Sequence, residues 1–583
     1  MMRRQLFDAN QIIPRLLVFG FMLATAEAQT QPLTELVKQE SGQLKTDQPK
    51  RIAFWPLQTN AEFAAGSDVK RSTALGLGFE AGPAERLGKA SVWNGRNSLI
   101  EASVGPELEF GREAFSVSLW LNLDGADDDL PGDLVNHFDH DTQTGWSLAV
   151  TGRSGLVHNQ SNHRQIAFGI NDNRHGSAWV DHGRPGQAVY VHALAVHDGQ
   201  LFAGTCDPGA GRQGGVFRFE PPDRWINTAA PVRANAVTSL AVYQGELYAG
   251  TGKYRLAGSA LEESKNETPG GEILKLSADG TWSVVGKLPE TEAVGGLVVF
   301  QGKLHASSLY RPAGFFRMEG PGNWASLPTP GGKRPEAMAV HNNKLYASGY
   351  DEGHVYEYDG RKWSDLGPVG TNTQTYGFAV YRGGLYVSTW PEGKVYRHEG
   401  ATRWADCGRL GESLEVMGLA VHNGSLFGGT LPSAEVYRYL GGQKWLTTGK
   451  TDPTPDVKYR RAWSMAEFQG RLFCGTLPSG HVYSYQSGLA STIDKPVGPG
   501  WHHVVAVRDA KSLRLYLDGT LAAEAASPKA GEINVSAKSS LKIGHGVHDN
   551  LRGRLRDVAI YRGTLSAGEI SRLHDGRDQP EKP

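Results

Sequence analysis

A pair of short apolar runs, hinged on a Gly or Asn turn and ending in small residues, recurs seven times between residues 194 and 476. The copies are LAVHDGQLFAGT (194–205), LAVYQGELYAGT (240–251), LVVFQGKLHASS (297–308), MAVHNNKLYASG (338–349), FAVYRGGLYVST (378–389), LAVHNGSLFGGT (419–430) and MAEFQGRLFCGT (465–476). Each reads as two strands around a tight turn. A third, alternating segment follows, as in GGVFRFE from Gly214, GHVYEYD from Gly353 and GKVYRHE from Gly393. A Trp-led fourth comes after it, at Trp225, Trp282, Trp324, Trp363, Trp404 and Trp445. A four-strand unit repeated at this period commits the chain to a β-repeat architecture.

Four-stranded meanders repeated about a ring make a β-propeller, one blade per unit. A small residue stands immediately before every copy, at Ala193, Ser239, Gly296, Ala337, Gly377, Gly418 and Ser464. Innermost strands crowd around the axis, and small side chains suit that position. The seventh copy lacks a Trp-led fourth strand, whereas SAWVDHGRP, with Trp179, precedes the first copy and has the form of KWSDLGPV around Trp363. Trp179 is therefore expected to supply the outer strand of the last blade, around Ala178-Trp179-Val180. That closes a seven-bladed ring over 177–488 and removes two free edges.

The N-terminus, Met1 to Ala28, has the form of a secretory signal. Arg3, Arg4 and Arg15 precede LLVFGFMLAT, and Ala26-Glu27-Ala28 offers an A-x-A cleavage site. The apolar run is too short to span a bilayer, so the mature chain is expected to be secreted or periplasmic, without membrane insertion. Residues 29–50 are polar and aperiodic and read as a flexible lead-in, and 577–583 as a tail. With 60 Lys and Arg against 61 Asp and Glu, the chain has no basic field for nucleic acid. Three cysteines, Cys206, Cys407 and Cys474, exclude a disulfide scaffold and show no zinc spacing. Cys206 and Cys474 occupy near-corresponding positions in the first and last blades. They admit either a ring-closing disulfide or burial as small apolar side chains.

The flanks of the array are β-rich but carry no repeat, and neither looks complete alone. The first, 51–172, contains FSVSLWLNL, GWSLAV and RQIAFGI; the second, 489–576, contains GWHHVVAV, LRLYLDGTL and LRGRLRDVAIYRGTLSAGEI. In this order they resemble the laminin-G-like jelly roll of the concanavalin A-like lectin/glucanase superfamily. The resemblance implies one all-β jelly-roll β-sandwich interrupted by the seven-bladed β-propeller. The repeats are similar to a kelch array, with the usual Gly pair replaced by GT, SS, SG or ST. Laminin-G-like jelly rolls often carry a calcium ion. Asp139 and Asp141 in NHFDHDTQTG, with Asp549 and Asn550 in GHGVHDNLRG, offer oxygen ligands on loops, though the sequence assigns them no metal.

Catalytic signatures are weak. His502 and His503, with Asp509 or Asp518 nearby, sit in an alternating strand followed by an Asp518-Gly519 hairpin signal. Asp557 reads as a turn-ordering residue. The Glu-x-Asp-x-x-Glu cluster of the superfamily's glucanases is absent from the sequence. Ser277 to Trp282 resembles a shortened sialidase Asp box, which is a structural turn.

The surface with recognition chemistry is the propeller face bearing the loops between second and third strands and the links between blades. It carries Tyr254, Arg255, Tyr310, Arg311, Glu336, Tyr350, Asp351, Tyr376, Trp390, Arg461 and Trp463, aromatic planes beside hydrogen-bonding charges. The polar loop 252–270 is placed to cover that face. The sequence thus points to a non-enzymatic recognition protein for glycans or another extracellular partner. The alternatives are a polysaccharide-active hydrolase or lyase with its site on this face, and a structural cell-surface module.

Overall fold

The computed structural model describes residues 48–58, 69–82, 88–123, 131–152, 159–209 and 211–577. The expected signal segment, most of the lead-in and nearly all of the tail lie outside these residues. Among the described residues the chain is almost entirely β, and no helix is long and apolar enough to cross a membrane.

The two flanks build one sandwich by interleaving. In the first sheet, Phe115–Leu123 lies between Arg552–Arg562 and Gly500–Arg508. Lys50–Trp55 pairs with Arg552–Arg562 as well. In the second, Leu541–Ile543 lies between Leu99–Val104 and Gly132–Asp139, and Leu489–Ile493 pairs with Gln165–Asp172. Strand alternation decides which face is inside: Phe115, Val117, Leu119, Leu121 and Leu123 are all buried and face the opposing sheet's Trp146 and Phe168. The resulting core contains no residue from 177–488. The outer face of the first sheet is covered in part by the helix Ala567–His574, which begins with a capping box between Ser566 and Glu569 and buries Ile570 against Val505 and Val507.

Between the flanks stand five separate four-stranded antiparallel sheets and one eight-stranded sheet. In the latter, two four-stranded meanders join through the single pair Cys206↔Ala236. The first strands of successive meanders touch in order round a closed ring, with Arg461–Phe468 returning to Tyr190–His197. The last sheet is completed from the start of the array: Val180 and Asp181 pair with Ser484 and Tyr483. This outer strand is Val180–Asp181, slightly later than the expected 178–180, and Trp179 packs its ring on Tyr485 at 5.2 Å.

The fourth-strand tryptophans tie the sheets together. Trp225 Nε1 donates to His182 O at 3.0 Å, Trp282 to Thr228 Oγ1 at 3.0 Å, Trp363 to Pro328 O at 2.8 Å, Trp404 to Leu366 O at 3.2 Å and Trp445 to Cys407 O at 2.8 Å. Each acceptor belongs to the outer strand of the preceding meander or to the residues just beyond it. Trp179 continues the series by donating to Thr448 Oγ1 at 3.2 Å.

Near the axis the small residues have a related purpose. Where the second strand carries Ser, its hydroxyl crosses to the next first strand: Ser307 Oγ to Glu336 O at 2.7 Å, Ser348 to Tyr376 O at 2.6 Å and Ser388 to Met417 O at 2.7 Å. Where the second strand carries Gly, the first strand can supply the hydroxyl instead, as Thr238 Oγ1 to Val294 O at 2.7 Å and Ser464 Oγ to Val191 O at 2.9 Å. A Cβ on Gly250 or Gly475 would lie 2.4 or 2.5 Å from the Ser239 or Ser464 hydroxyl. At the other two GT repeats the space is taken instead by Val237, 2.9 Å from a Cβ on Gly204, and by Ala462 O, 2.4 Å from one on Gly429.

The sandwich seals one face of the propeller, the face of the hairpin turns. Asn159 Nδ2 donates to Leu194 O at 2.7 Å, Gln160 N to Leu240 O at 3.1 Å, and Val196 N to Ser161 O at 2.8 Å. Asn162 forms a two-way bridge with the Glu467 backbone, at 2.7 and 3.0 Å. All four residues of 159–162 are buried.

Candidate functional site

The opposite face is built by a repeated irregularity. In six of the first strands the register slips just before or at the small residue, between Val191 and Ala193, Val237 and Ser239, Val294 and Leu297, Thr375 and Phe378, Val416 and Leu419, and Ala462 and Met465. An unpaired residue at such a bulge has its side chain re-aimed. The skipped residues are His192 and Thr238 in the first two and, in the others, the pairs Gly295-Gly296, Tyr376-Gly377, Met417-Gly418 and Trp463-Ser464. The residue two before the first skipped one lies beside it: the Tyr190 and His192 rings are 3.8 Å apart, and the Arg461 guanidinium is 6.0 Å from the Trp463 ring. In the remaining meander Arg334 and Glu336 precede the short strand Met338–His341.

These side chains converge. Tyr254, Tyr350, Tyr376, Trp390 and Trp463 belong to one cluster with Tyr190, Leu256 and Met417. Two carboxyl groups accompany them. Burial pushes Glu336 well above the usual carboxylate range, against the opposing pull of Arg334 and the Tyr350 hydroxyl. Burial also raises Glu415, against Arg461, whose Nη2 lies 3.8 Å away, and the Tyr376 hydroxyl. Arg461 Nη1 donates to Ser259 Oγ at 2.6 Å.

The other expected residues form a rim. Arg255 stacks over Tyr310 at 4.4 Å, its backbone N–H donates to the Tyr310 hydroxyl at 3.0 Å, and its guanidinium pairs with Glu292. Arg311 pairs with Asp351 at 2.9 Å, and Arg334 grips the same carboxylate through two contacts of 3.1 Å while donating to Leu309 O at 3.2 Å. Burial works to raise Asp351, but the Arg334 side chain and amide outweigh it, and its pKa ends below the ordinary value.

The surface expected from the sequence is therefore mostly an interior. Of its eleven residues only Arg255 and Arg311 are exposed, while Glu336, Tyr376, Arg461 and Trp463 are buried. The physical reason is the 252–270 loop, which lowers Leu256 into the aromatic cluster until no part of it is exposed. Beside that plug lies an open cavity of about 410 Å3, lined by Val189, Pro208, Leu256, Leu261, Glu262 and Lys265, with Pro478 at its edge. Tyr190, His192, Arg334 and Glu415 were missed from the sequence. Their signal is positional, since most stand one or three places before the small residue of a repeat.

The remaining candidates have structural roles. Cys206 and Cys474 are free and buried in different clusters, so the ring-closing disulfide is not formed. Asp139 accepts from the Asp141 and Thr142 amides at 2.9 and 3.1 Å, and Asp549 faces His341 at 3.3 Å while accepting from the Asn550 amide at 2.7 Å. Among the described residues no group of three or more His, Cys, Asp or Glu side chains is spaced for a metal ion. His502 pairs with Asp518 at 2.8 Å. His503 meets the Ser118 hydroxyl at 2.9 Å, but both are buried, and no acid orients its Nδ1 among the described residues. Asp557 pairs with Arg556 at 2.8 Å. Asp279 accepts from the Thr281 amide and hydroxyl at 2.9 and 2.6 Å, a turn.

Comparison with known proteins adds a family match for one flank. Residues 470–571 match Laminin_G_3, described as the concanavalin A-like lectin/glucanases superfamily. The match begins in Arg471–Leu477, a strand that pairs within the last propeller sheet, and continues through the second sandwich flank. No curated protein matches the chain. Similar solved structures include one titled streptogramin B lyase, 12% identical with a TM-score of 0.43, covering 53% of this chain and 97% of that one. Another is virginiamycin B lyase from Staphylococcus aureus, 10% identical with a TM-score of 0.41, covering 54% and 99%. A third, YCF48 bound to D1 peptide, is 12% identical with a TM-score of 0.38, covering 53% and 97%. Nothing about activity follows from likenesses of this kind. The chain therefore combines a concanavalin A-like sandwich with a propeller-like array.

Proposed function

We propose that this is a secreted or periplasmic, non-enzymatic recognition protein that binds a glycan on the open face of a seven-bladed, kelch-like propeller. The count of seven takes the eight-stranded sheet as two adjacent blades joined by one bridge pair. The accompanying division puts jelly-roll halves at 51–172 and 489–576 around a propeller at 177–488. The reading rests on one observation above all: the sandwich covers the hairpin-turn face through Asn159 to Asn162, which leaves the other face, with Arg255 and Arg311 exposed at its rim, as the approach to the axial aromatic and charged side chains. The concanavalin A-like match fits a carbohydrate-related role. A second reading, a hydrolase or lyase, is favoured by Glu336 and Glu415, buried carboxyl groups of raised pKa near one axis. Glycan-array binding run beside release of reducing sugar separates the two. Binding without turnover supports recognition, turnover supports the enzyme, and neither leaves a structural module.

A further inference from the structure

Among the described residues, two buried donors beneath the 252–270 loop have no acceptor. Tyr190 has no exposed surface, and its hydroxyl has no hydrogen-bond partner among the described residues. Its ring packs against His192 at 3.8 Å, Trp463 at 5.2 Å and Tyr254 at 5.3 Å, at the meeting point of the axial side chains. A buried hydroxyl without a partner is unfavourable, and Phe in its place would remove the defect without altering the packing. In the same place Arg461 directs Nη1 to Ser259 and Nη2 toward Glu415, while its Nε is likewise buried without an acceptor. Oxygen atoms of a ligand placed here would satisfy both donors.

We propose that this axial region is a closed binding chamber for a single sugar ring, shut by Leu256 and opened by withdrawal of the 3-10 turn Leu256–Ser259. The inference rests on the glycan-recognition reading above and moves its site from the rim to the interior. Leu256 is fully buried among Tyr190, Tyr376, Met417 and Trp463, yet its neighbours Ala257 and Gly258 are exposed. The Glu263 carboxylate accepts from the Leu256 and Ala257 amides at 3.2 Å each. Ser259 Oγ, besides its bond from Arg461, meets the Tyr254 hydroxyl at 3.0 Å. Apart from the packing of Leu256, Leu261 and Tyr254 and the contacts of Arg255 with Tyr310 and Glu292, these ties are hydrogen bonds that water can replace. Leu256 and Leu261 of the same loop also line the cavity of about 410 Å3, so moving the loop enlarges that cavity toward the axis.

The chamber's chemistry selects the ligand. The rings of Tyr190, Tyr254, Tyr376 and Trp463 offer flat faces to the C–H side of a pyranose, while the Tyr190 hydroxyl, the Arg461 guanidinium and the Glu336 and Glu415 carboxyls offer donors and acceptors to its hydroxyls. The test uses the full chain, Tyr190→Phe and Ser259→Ala, each titrated with cello-, xylo-, manno- and chito-oligosaccharides and each followed by thermal unfolding. Tyr190→Phe should unfold at the same temperature or higher, yet bind roughly tenfold more weakly. Ser259→Ala, with the latch to Arg461 and Tyr254 removed, should associate faster. If the wild type binds and Tyr190→Phe binds equally well, the chamber is overturned while glycan recognition stands. If Tyr190→Phe loses binding together with stability, the hydroxyl is structural and the chamber is again overturned. Binding of none of these sugars by the wild type overturns both readings.

Discussion

Asp181 and His481 stand 300 residues apart in the chain, and their side chains meet at 2.9 Å. The same contact occurs within contiguous meanders, where His354 meets Asp365 at 2.9 Å and Lys394 meets Asp406 at 3.0 Å. In all three cases the aspartate also accepts from the glycine amide two residues on: Gly183 at 2.8 Å, Gly367 at 2.8 Å and Gly408 at 2.7 Å. These glycines have φ of 76°, 76° and 93°, which a Cβ-bearing residue rarely adopts. The strand at the start of the array thus performs at the end of the ring what a local strand performs elsewhere.

Trp179→Ala should therefore destabilise the protein about as much as Trp404→Ala. Both rings are half-buried and both bond to the preceding meander, so each loss should fall near ~2–3 kcal/mol, below the cost of a fully buried Trp. Thermal unfolding of the two single variants checks this. A silent Trp179→Ala beside a damaging Trp404→Ala would remove the outer strand from the ring.

Replacing 177–488 by a short linker should leave a folded sandwich, because the sandwich core draws nothing from those residues. The ends are already close: Ser177 N donates to Gln486 O at 2.8 Å and Gly488 N to His175 O at 2.7 Å. Excision uncovers Phe138 and Val547, which pack into a propeller cluster, and the polar groups of Asn159 to Asn162. The product should accordingly be less stable than the intact protein yet show cooperative unfolding by circular dichroism. A product that is insoluble or lacks a transition contradicts an independent core.

Asp133→Asn should lower stability by about 1–3 kcal/mol. The buried carboxyl group, which burial pushes up to about 7 against the pull of its amide donors, accepts from Val547, His548 and Asp549 N at 3.1, 2.8 and 3.0 Å, fixing the loop against which the propeller turn at Arg382 and Gly383 docks. Asn keeps one acceptor oxygen and turns an NH2 group toward the remaining donors. Chemical denaturation at neutral pH checks the value, and a change below about 0.5 kcal/mol would show that the loop is held by other contacts.

Asp494→Asn should flatten the pH dependence of stability between pH 4 and 7. Burial, with a smaller contribution from Glu467, raises Asp494 from 3.8 to about 7 in the folded protein. The folded state then holds a proton that the unfolded chain releases, so this group costs stability progressively as pH rises from about 4 to about 7 and adds no further change above that. The variant lacks the effect, so its unfolding temperature should gain on the wild type across that window and run parallel above it. Parallel curves throughout would mean that Asp494 is ionised in the folded state.

The repeat was legible because strand pairs, turns and tryptophans each leave a local mark. LAVHDGQLFAGT and its relatives became the expected hairpins, and SAWVDHGRP betrayed its kinship with KWSDLGPV. The complementary flanks were legible for a related reason: strands such as Phe115–Leu123 alternate cleanly yet have no partner nearby in sequence. The site was less so. A bulge carries no periodic signal, so His192 and Glu415 hid beside small residues that were noticed. Exposure is set by what lies above a residue, and nothing in Tyr376 or Trp463 announces that Leu256 from a polar loop covers them.

Interleaving of the flanks also sets an order of completion. During synthesis from the N-terminus, the strand Lys50–Trp55 emerges first but waits for Arg552–Arg562, and Phe115–Leu123 waits for Gly500–Arg508 and Arg552–Arg562. The propeller needs nothing beyond Tyr485 to join its last sheet to Val180 and Asp181. It can close while the first half-sandwich still lacks its partners. Gly132–Asp139, Thr144–Thr151 and Gln165–Asp172 can pair among themselves, but Lys50–Trp55 and Phe115–Leu123 must stay shielded from other chains until their C-terminal partners appear. A chain truncated between Tyr485 and Arg552 should therefore carry a finished ring on an open, aggregation-prone base.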